Sequence, residues 1–156
     1  MSNKPVTEAL KRVLADTYTL YLKTQNYHWN VEGRHFHSLH LMFEGQYNEL
    51  ALANDEIAER IRSLGEKAPG TFAEFAKLSS IKEAASDADE NQMVKDLYQS
   101  NMALTQTIKK ALNAAQKADD EGTTDLLVVR SKAHEKAAWM LKSSLPAEVK
   151  AKLKLA

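Results

Sequence analysis

Residues 36–65 read FHSLHLMFEGQYNELALANDEIAERIRSLG. At about 100° per residue, Leu39, Phe43, Leu50, Ile57, Ile61 and Leu64 gather within a narrow arc, as the buried face of one long helix does. A second stripe is made of different chemistry. His40, Glu44, Asp55 and Glu59 share an arc of roughly 100°, and its centre lies about 140° from that of the apolar face. The stripe therefore points away from the helix's own core.

The spacing within that stripe adds a constraint. Glu44 and Asp55 are eleven positions apart, about 16 Å along a helix axis at 1.5 Å per residue. One ion cannot be held by both from a single straight helix. Two antiparallel copies of the helix, related by a two-fold axis near Glu49 and Leu50, would set Glu44 beside Asp55 of the second copy. The same axis would set His40 beside Glu59, because 44 and 55 have the same sum as 40 and 59. A two-fold interface is self-complementary, so the arrangement predicts two equivalent metal sites per dimer. Two readings stay open at this level. Asp55, Glu59 and Arg60 are also the composition of an ordinary solvated face with surface ion pairs, whereas a histidine on the same stripe and the matching sums favour metal ligands.

Outward from this segment, the chain is punctuated by Pro5, Gly33, Gly65, Pro69, Gly70, Gly122 and Pro146. Between these breaks it is rich in Ala, Leu, Lys and Glu, which are good helix formers. Helices are predicted at about 5–31, 36–64, 89–118 and 123–144, with shorter ones at about 71–78 and 146–153. Asp87 or Asp89 is placed to cap the third long helix, and Pro146 to open the last short one. Gly45 falls inside the second long helix and costs it some propensity. Four long helices without a strand pattern give an all-α four-helix bundle. The long link between the second and third helices, with a short extra helix in it, is the single crossover of a ferritin-like topology.

The composition sets bounds. A chain of 156 residues predicts a single domain spanning 1–156, with short tails at about 1–4 and 150–156. Lys plus Arg equals Asp plus Glu at 21 each, so no global charge draws the chain to nucleic acid or anionic lipid. With no cysteine, thiolate sites and disulfides are excluded. Any ligand set must be His, Asp and Glu, which suit iron, manganese or zinc. No apolar run is long enough to span a bilayer and the N-terminus lacks a signal-peptide core. A cytoplasmic protein is expected, with no membrane partner.

The segment Tyr27-His28-Trp29-Asn30-Val31, followed by Gly33, Phe36 and Leu39-His40, resembles the first signature of the Dps family of miniferritins. Asp55-Glu56-Ile57-Ala58-Glu59-Arg60-Ile61, ending at Leu64-Gly65, resembles its second. The likeness runs along nearly the whole chain, including the short crossover helix and Trp139. It implies a ferroxidase centre with His28, His40 and Glu44 from one chain and Asp55 and Glu59 from its dimer mate. It also implies a hollow dodecamer built from two-fold dimers, near the nucleoid in the cell. Iron would enter as Fe(II), be oxidised to Fe(III) with hydrogen peroxide as the preferred oxidant, and be stored as mineral. DNA would thus be protected from oxidative damage. The family commonly has Asp at position 44, so Glu44, one methylene longer, bears on the second iron position.

Further positions carry two readings each. Trp29 beside His28 suits a one-electron donor or, more commonly, a packing aromatic at an interface. Glu56 suits a group supporting a ligand or a solvated charge. The same resemblance implies that the region of Asp119, Asp120, Glu121 and Asp125 lines a three-fold pore where negative charge would draw in Fe(II), with Asp125 the best single candidate; the other reading is acids placed at a helix start. His35 and His37 are expected exposed and without a role, and His134 at a surface or interface. Lys150, Lys152 and Lys154 form a modest basic end that twelve copies could turn into DNA avidity, or a solvated terminus. The rivals to an iron-oxidising store are therefore a DNA-binding shell with little iron turnover and a structural or manganese- or zinc-binding helical oligomer.

Overall fold

The computed structural model describes residues 3–153 and is all-helical over them. α1 spans Lys4–Asn30, α2 Phe36–Ser63, α3 Phe72–Leu78, α4 Glu90–Lys117, α5 Glu121–Ser143 and α6 Ala147–Lys150. The four long helices are those expected from the breaks, within two residues at each end. The C-terminal helix is shorter than predicted. Pro146, extended at ψ 151°, caps it from outside instead of opening it.

Each start has a local cause. Pro5 stands in the first turn of α1, where its missing N–H costs nothing. Asp89, not Asp87, caps α4 through a capping box in which Asp89 accepts from the Gln92 N–H and Gln92 accepts from the Asp89 N–H. Thr71 caps α3 by accepting from the Glu74 N–H. Asp120 caps α5 by accepting from the Thr123 N–H.

α1 packs along α2, and α4 along α5, with α1 and α4 closing the core between the pairs. Tyr27, Phe43, Leu10, Leu20, Ile57, Ile61, Leu97, Leu104, Ile108, Leu127 and Leu141 are all but inaccessible to solvent. The apolar face assigned to α2 is the face that is buried: Leu39, Phe43, Leu50, Ile57 and Ile61 are buried and Leu64 half-buried. The crossover, residues 64–89, returns the chain along the bundle. His35, at the start of α2, reaches Glu90 at the start of α4, so α4 runs in the same direction as α2 and α1 opposes both. Gly33 makes this corner possible. Its φ is +130°, and a Cβ there would come within 2.6 Å of a Glu90 carboxylate oxygen.

The crossover is pinned by a buried acid. Asp16 on α1 accepts from the Ser79 hydroxyl at 2.9 Å, the Ser80 N–H at 2.6 Å, the Ser80 hydroxyl at 2.8 Å and the Thr107 hydroxyl of α4 at 2.7 Å. With four donors the buried carboxylate is satisfied. A second polar knot lies between α1 and α4. Buried Lys23 donates to Asp96 and to Ser100, both at 3.0 Å, while the Tyr27 hydroxyl donates to Asp96 at 2.5 Å. Burial, and then the Asp96 carboxylate, raise the Tyr27 phenol well above its ordinary range.

His134 departs from the expectation of a surface or interface histidine. It is 1 % exposed, packed on the core stripe of α5 with Thr123, Leu127, Arg130, Ala138 and Leu141. Its ring is fully engaged inside the fold. Nδ1 faces the Asn101 side-chain oxygen at 2.9 Å and must donate to it, so Nε2 accepts from the Arg130 guanidinium at 3.1 Å. Arg130 in turn pairs with Glu49 of α2. Burial, aided by the Arg130 charge, pushes the His134 pKa down to about 3.

Candidate metal centre

His28 ends α1 and His40 begins α2, and the short corner between the helices lays the two rings face to face. Their centroids are 3.8 Å apart and their planes 12° from parallel. The backbone fixes both rings. His28 Nδ1 lies 2.7 Å from the His40 carbonyl oxygen, and His40 Nδ1 lies 2.7 Å from the His28 carbonyl oxygen. A carbonyl can only accept, so each Nδ1 carries the proton. In the neutral ring the lone pair is then on Nε2. A hydrogen bond of this kind to one ring nitrogen sets the tautomer and orientation that a metal-binding histidine needs at the other. Phe36 stacks on the outer side of His40 at 5.0 Å, and Tyr47 meets His28 edge-on at 5.1 Å. His28 is buried and His40 half-buried.

Glu44 follows His40 by one helical turn and is half-buried; Asp55 and Glu59 lie further along α2 and are exposed. None of these three carboxylates has a hydrogen-bond or ion-pair partner among the described residues. The competing reading of the stripe was a solvated face with surface ion pairs, and Arg60 forms no such pair with Glu59 or Asp55. Arg60 is turned the other way, with its Nη2 on Asp120 at 2.6 Å and its Nε on the Thr123 hydroxyl at 2.9 Å. Within one chain, no group of three or more His, Asp and Glu side chains comes together among the described residues. The structure thus brings His28 and His40 together, carries Glu44 one helical turn beyond His40, and leaves Asp55 and Glu59 apart from them further along the same helix.

The acidic cluster before α5 divides. Asp120 is absorbed by the fold as the cap of α5 and the partner of Arg60. Burial opposes its ionisation, but hydrogen bonds from Thr123 and the Arg60 charge outweigh that and hold its carboxyl below the usual range. A Cβ on Gly122 would meet that guanidinium at 3.0 Å, so the glycine lets Arg60 lie close against the first turn of α5. Asp119, Glu121 and Asp125 remain exposed. His35 is exposed as expected, yet it does have a role. It bonds Glu90 at 2.8 Å and, as the largest influence, holds that carboxyl low. His37 and Glu56 are exposed, Trp29 is 61 % exposed, and Trp139 is 66 % exposed. Lys150 is half-buried and Lys152 exposed, while Lys154 lies outside the described residues. No helix among the described residues is long and apolar enough to cross a membrane.

The long-helix order, the single crossover and a histidine–carboxylate helix face define a ferritin-like protein, and the ferritin-like domain family model matches residues 7–147. Within that class the chain belongs to the Dps family. It is 41 % identical over 143 residues to DNA protection during starvation protein 2 of Bacillus anthracis, covering 92 % of this chain and 98 % of that one. It superposes on the crystal structure of Dps from Staphylococcus aureus with a TM-score of 0.90 at 34 % identity, over 93 % of this chain and 97 % of the other. It superposes on Dps from Vibrio cholerae, described as one of the ferritin-like diiron-carboxylate proteins, with a TM-score of 0.87 at 32 % identity, covering 91 % and 89 %.

Proposed function

We propose that this chain is a ferroxidase and iron-storage cage subunit whose metal sites are each shared by two copies. His28, His40 and Glu44 come from one copy, and Asp55 and Glu59 from its mate about a two-fold axis; the mates assemble further into a dodecamer. The observation that carries the reading is the reciprocal carbonyl lock on His28 and His40. It commits both Nδ1 atoms to the backbone and reserves both Nε2 atoms for a ligand. Unpartnered Glu44, Asp55 and Glu59 at the separation that only an antiparallel mate can close support it.

Fe(II) is the substrate. Imidazole and carboxylate ligands with open positions suit a ferrous ion that must meet an oxidant, and carboxylates favour the harder ferric product. Two ferrous ions supply the two electrons that hydrogen peroxide takes up, so no hydroxyl radical leaves the site. Ferric product then mineralises inside the cage. Iron and peroxide are consumed together, and this is how DNA is protected without direct contact. Asp125, exposed in the first turns of α5, is the candidate for drawing Fe(II) to a pore.

The test is ferrous oxidation by metal-free protein, with peroxide compared against dioxygen. Rapid oxidation that prefers peroxide, and that is lost in a His28→Ala, Asp55→Ala double variant, is the expected result. Oxidation unaffected by the double variant would remove the proposed ligand set.

A further inference from the structure

Beyond the ligands, a continuous file of rings leads from the histidine pair to a surface cleft. His28 meets Tyr47 at 5.1 Å between centroids, Tyr47 meets Tyr21 at 6.0 Å, and Tyr21 meets Tyr18 at 5.5 Å. Tyr18 then stacks on Phe75 of α3 at 4.8 Å. Tyr47 is three residues after Glu44 on α2, and Tyr21 and Tyr18 are on α1. Tyr18 lines the two clefts that flank Phe72.

Rings at these separations are ordinary aromatic packing, and phenylalanine would serve that purpose, as Phe43 and Phe75 do in the same core. The phenol oxygens contribute little to the fold. Among the described residues only the Tyr21 hydroxyl has a partner, a 3.4 Å contact from Gln25. All three tyrosines are half-buried. What three successive phenols add to three phenyl rings is a series of groups that each give up one electron and one proton. The exposed indole of Trp29 has no ring contact with the file among the described residues.

We propose that Tyr47, Tyr21 and Tyr18 form a relay that carries a single oxidising equivalent from the metal centre to the cleft. The inference rests on the ferroxidase reading. Peroxide takes two electrons, and a site holding only one ferrous ion can supply one. Tyr47 supplies the other: Fe(II), the phenol and hydrogen peroxide give Fe(III), a phenoxyl radical, water and hydroxide. The O–O bond breaks, iron loses one electron, the phenol loses one electron and its proton, and no hydroxyl radical is released. Tyr21 then passes an electron to the Tyr47 radical, and Tyr18 passes one to Tyr21; each newly oxidised phenol releases its proton to water and each reduced one takes a proton back, so each donor is restored in turn. At the cleft, a soluble hydrogen-atom donor such as a thiol refills Tyr18.

The experiment loads metal-free protein with one ferrous ion per site, adds peroxide, and follows protein radicals by freeze-quench paramagnetic resonance with a hydroxyl-radical trap in parallel. The unsubstituted protein gives a tyrosyl signal, narrowed when ring-deuterated tyrosine is incorporated. Tyr47→Phe keeps the ring and its packing but loses the tyrosyl signal and gains trapped hydroxyl radical. Tyr21→Phe keeps a radical that no longer decays faster when thiol is added. An unchanged signal in both variants, or a signal removed by Trp29→Phe instead, overturns the relay. Normal ferrous oxidation with no protein radical overturns the relay alone, whereas no ferrous oxidation removes the ferroxidase reading and the relay together.

Discussion

His28 and His40 on one side, and His134 on the other, are buried or half-buried imidazoles on core-flanking helices, yet the fold engages their ring nitrogens differently. In the first pair each Nδ1–H donates a hydrogen bond to the other residue's backbone carbonyl, and Nε2 is left over. In His134 both nitrogens are occupied by the fold, Nδ1 by Asn101 and Nε2 by Arg130. Burial alone does not separate the two settings. The ring nitrogen left without an internal partner does, and on it rests the proposal that His28 and His40 are ligands.

The largest effect expected from this contrast is on iron. Removing one ligand of each chain, His40→Ala with Glu59→Ala, should weaken ferrous binding on the order of 1,000-fold, since groups around a metal are each worth about 10- to 100-fold or more. Equilibrium titration with Fe(II) under anaerobic conditions checks it. His134→Ala should do the reverse. It leaves the Asn101 side-chain oxygen without its donor, removes one of the partners of Arg130 and opens a cavity, costing about 3 kcal/mol in denaturant unfolding at fixed protein concentration. Ferrous affinity should be unchanged.

A smaller effect separates the two settings by pH. Folded His134 stays neutral down to about pH 3 because of burial and the Arg130 charge, whereas the unfolded residue takes up a proton near the ordinary histidine value of 6.5. Its stabilising contribution is therefore complete above pH 6.5 and is lost as the pH falls, at up to about 1.4 kcal/mol per pH unit. Subtracting the stability curve of His134→Gln from that of the unsubstituted protein between pH 7 and 4.5 should expose the slope. Smallest of all, Glu44→Asp keeps the charge and draws the carboxylate back by one methylene. It should change ferrous affinity by less than about tenfold, read from the same titration.

The sequence resolved the long helices because apolar spacing, capping acids and the Gly and Pro breaks all agree. The two faces of α2 were legible for the same reason: a helical wheel separates Leu39, Phe43 and Ile57 from His40, Glu44 and Asp55. His134 was not resolved, although a signal was present. Leu127, His134 and Leu141 are seven apart, and Thr123, Arg130 and Ala138 fall on the same stripe. Polar side chains on a core stripe look solvated until their partners, Asn101 on α4 and Glu49 on α2, are placed beside them. Arg60 and Asp120 were hidden in the same way, being 60 positions apart. The Nδ1 locks of His28 and His40 rest on backbone carbonyls, which no pattern of side chains records.

The claim that each metal site draws on two polypeptides is tested most directly by complementation. One chain would carry His28→Ala with His40→Ala, and the other Asp55→Ala with Glu59→Ala. Neither alone should bind Fe(II) at the centre. Co-expressed in equal amounts and paired at random, half the dimers contain one of each, and each such dimer regains one intact site of two. Ferrous binding should then return to about a quarter of the unsubstituted stoichiometry. A mixture as inert as its parents would contradict the account.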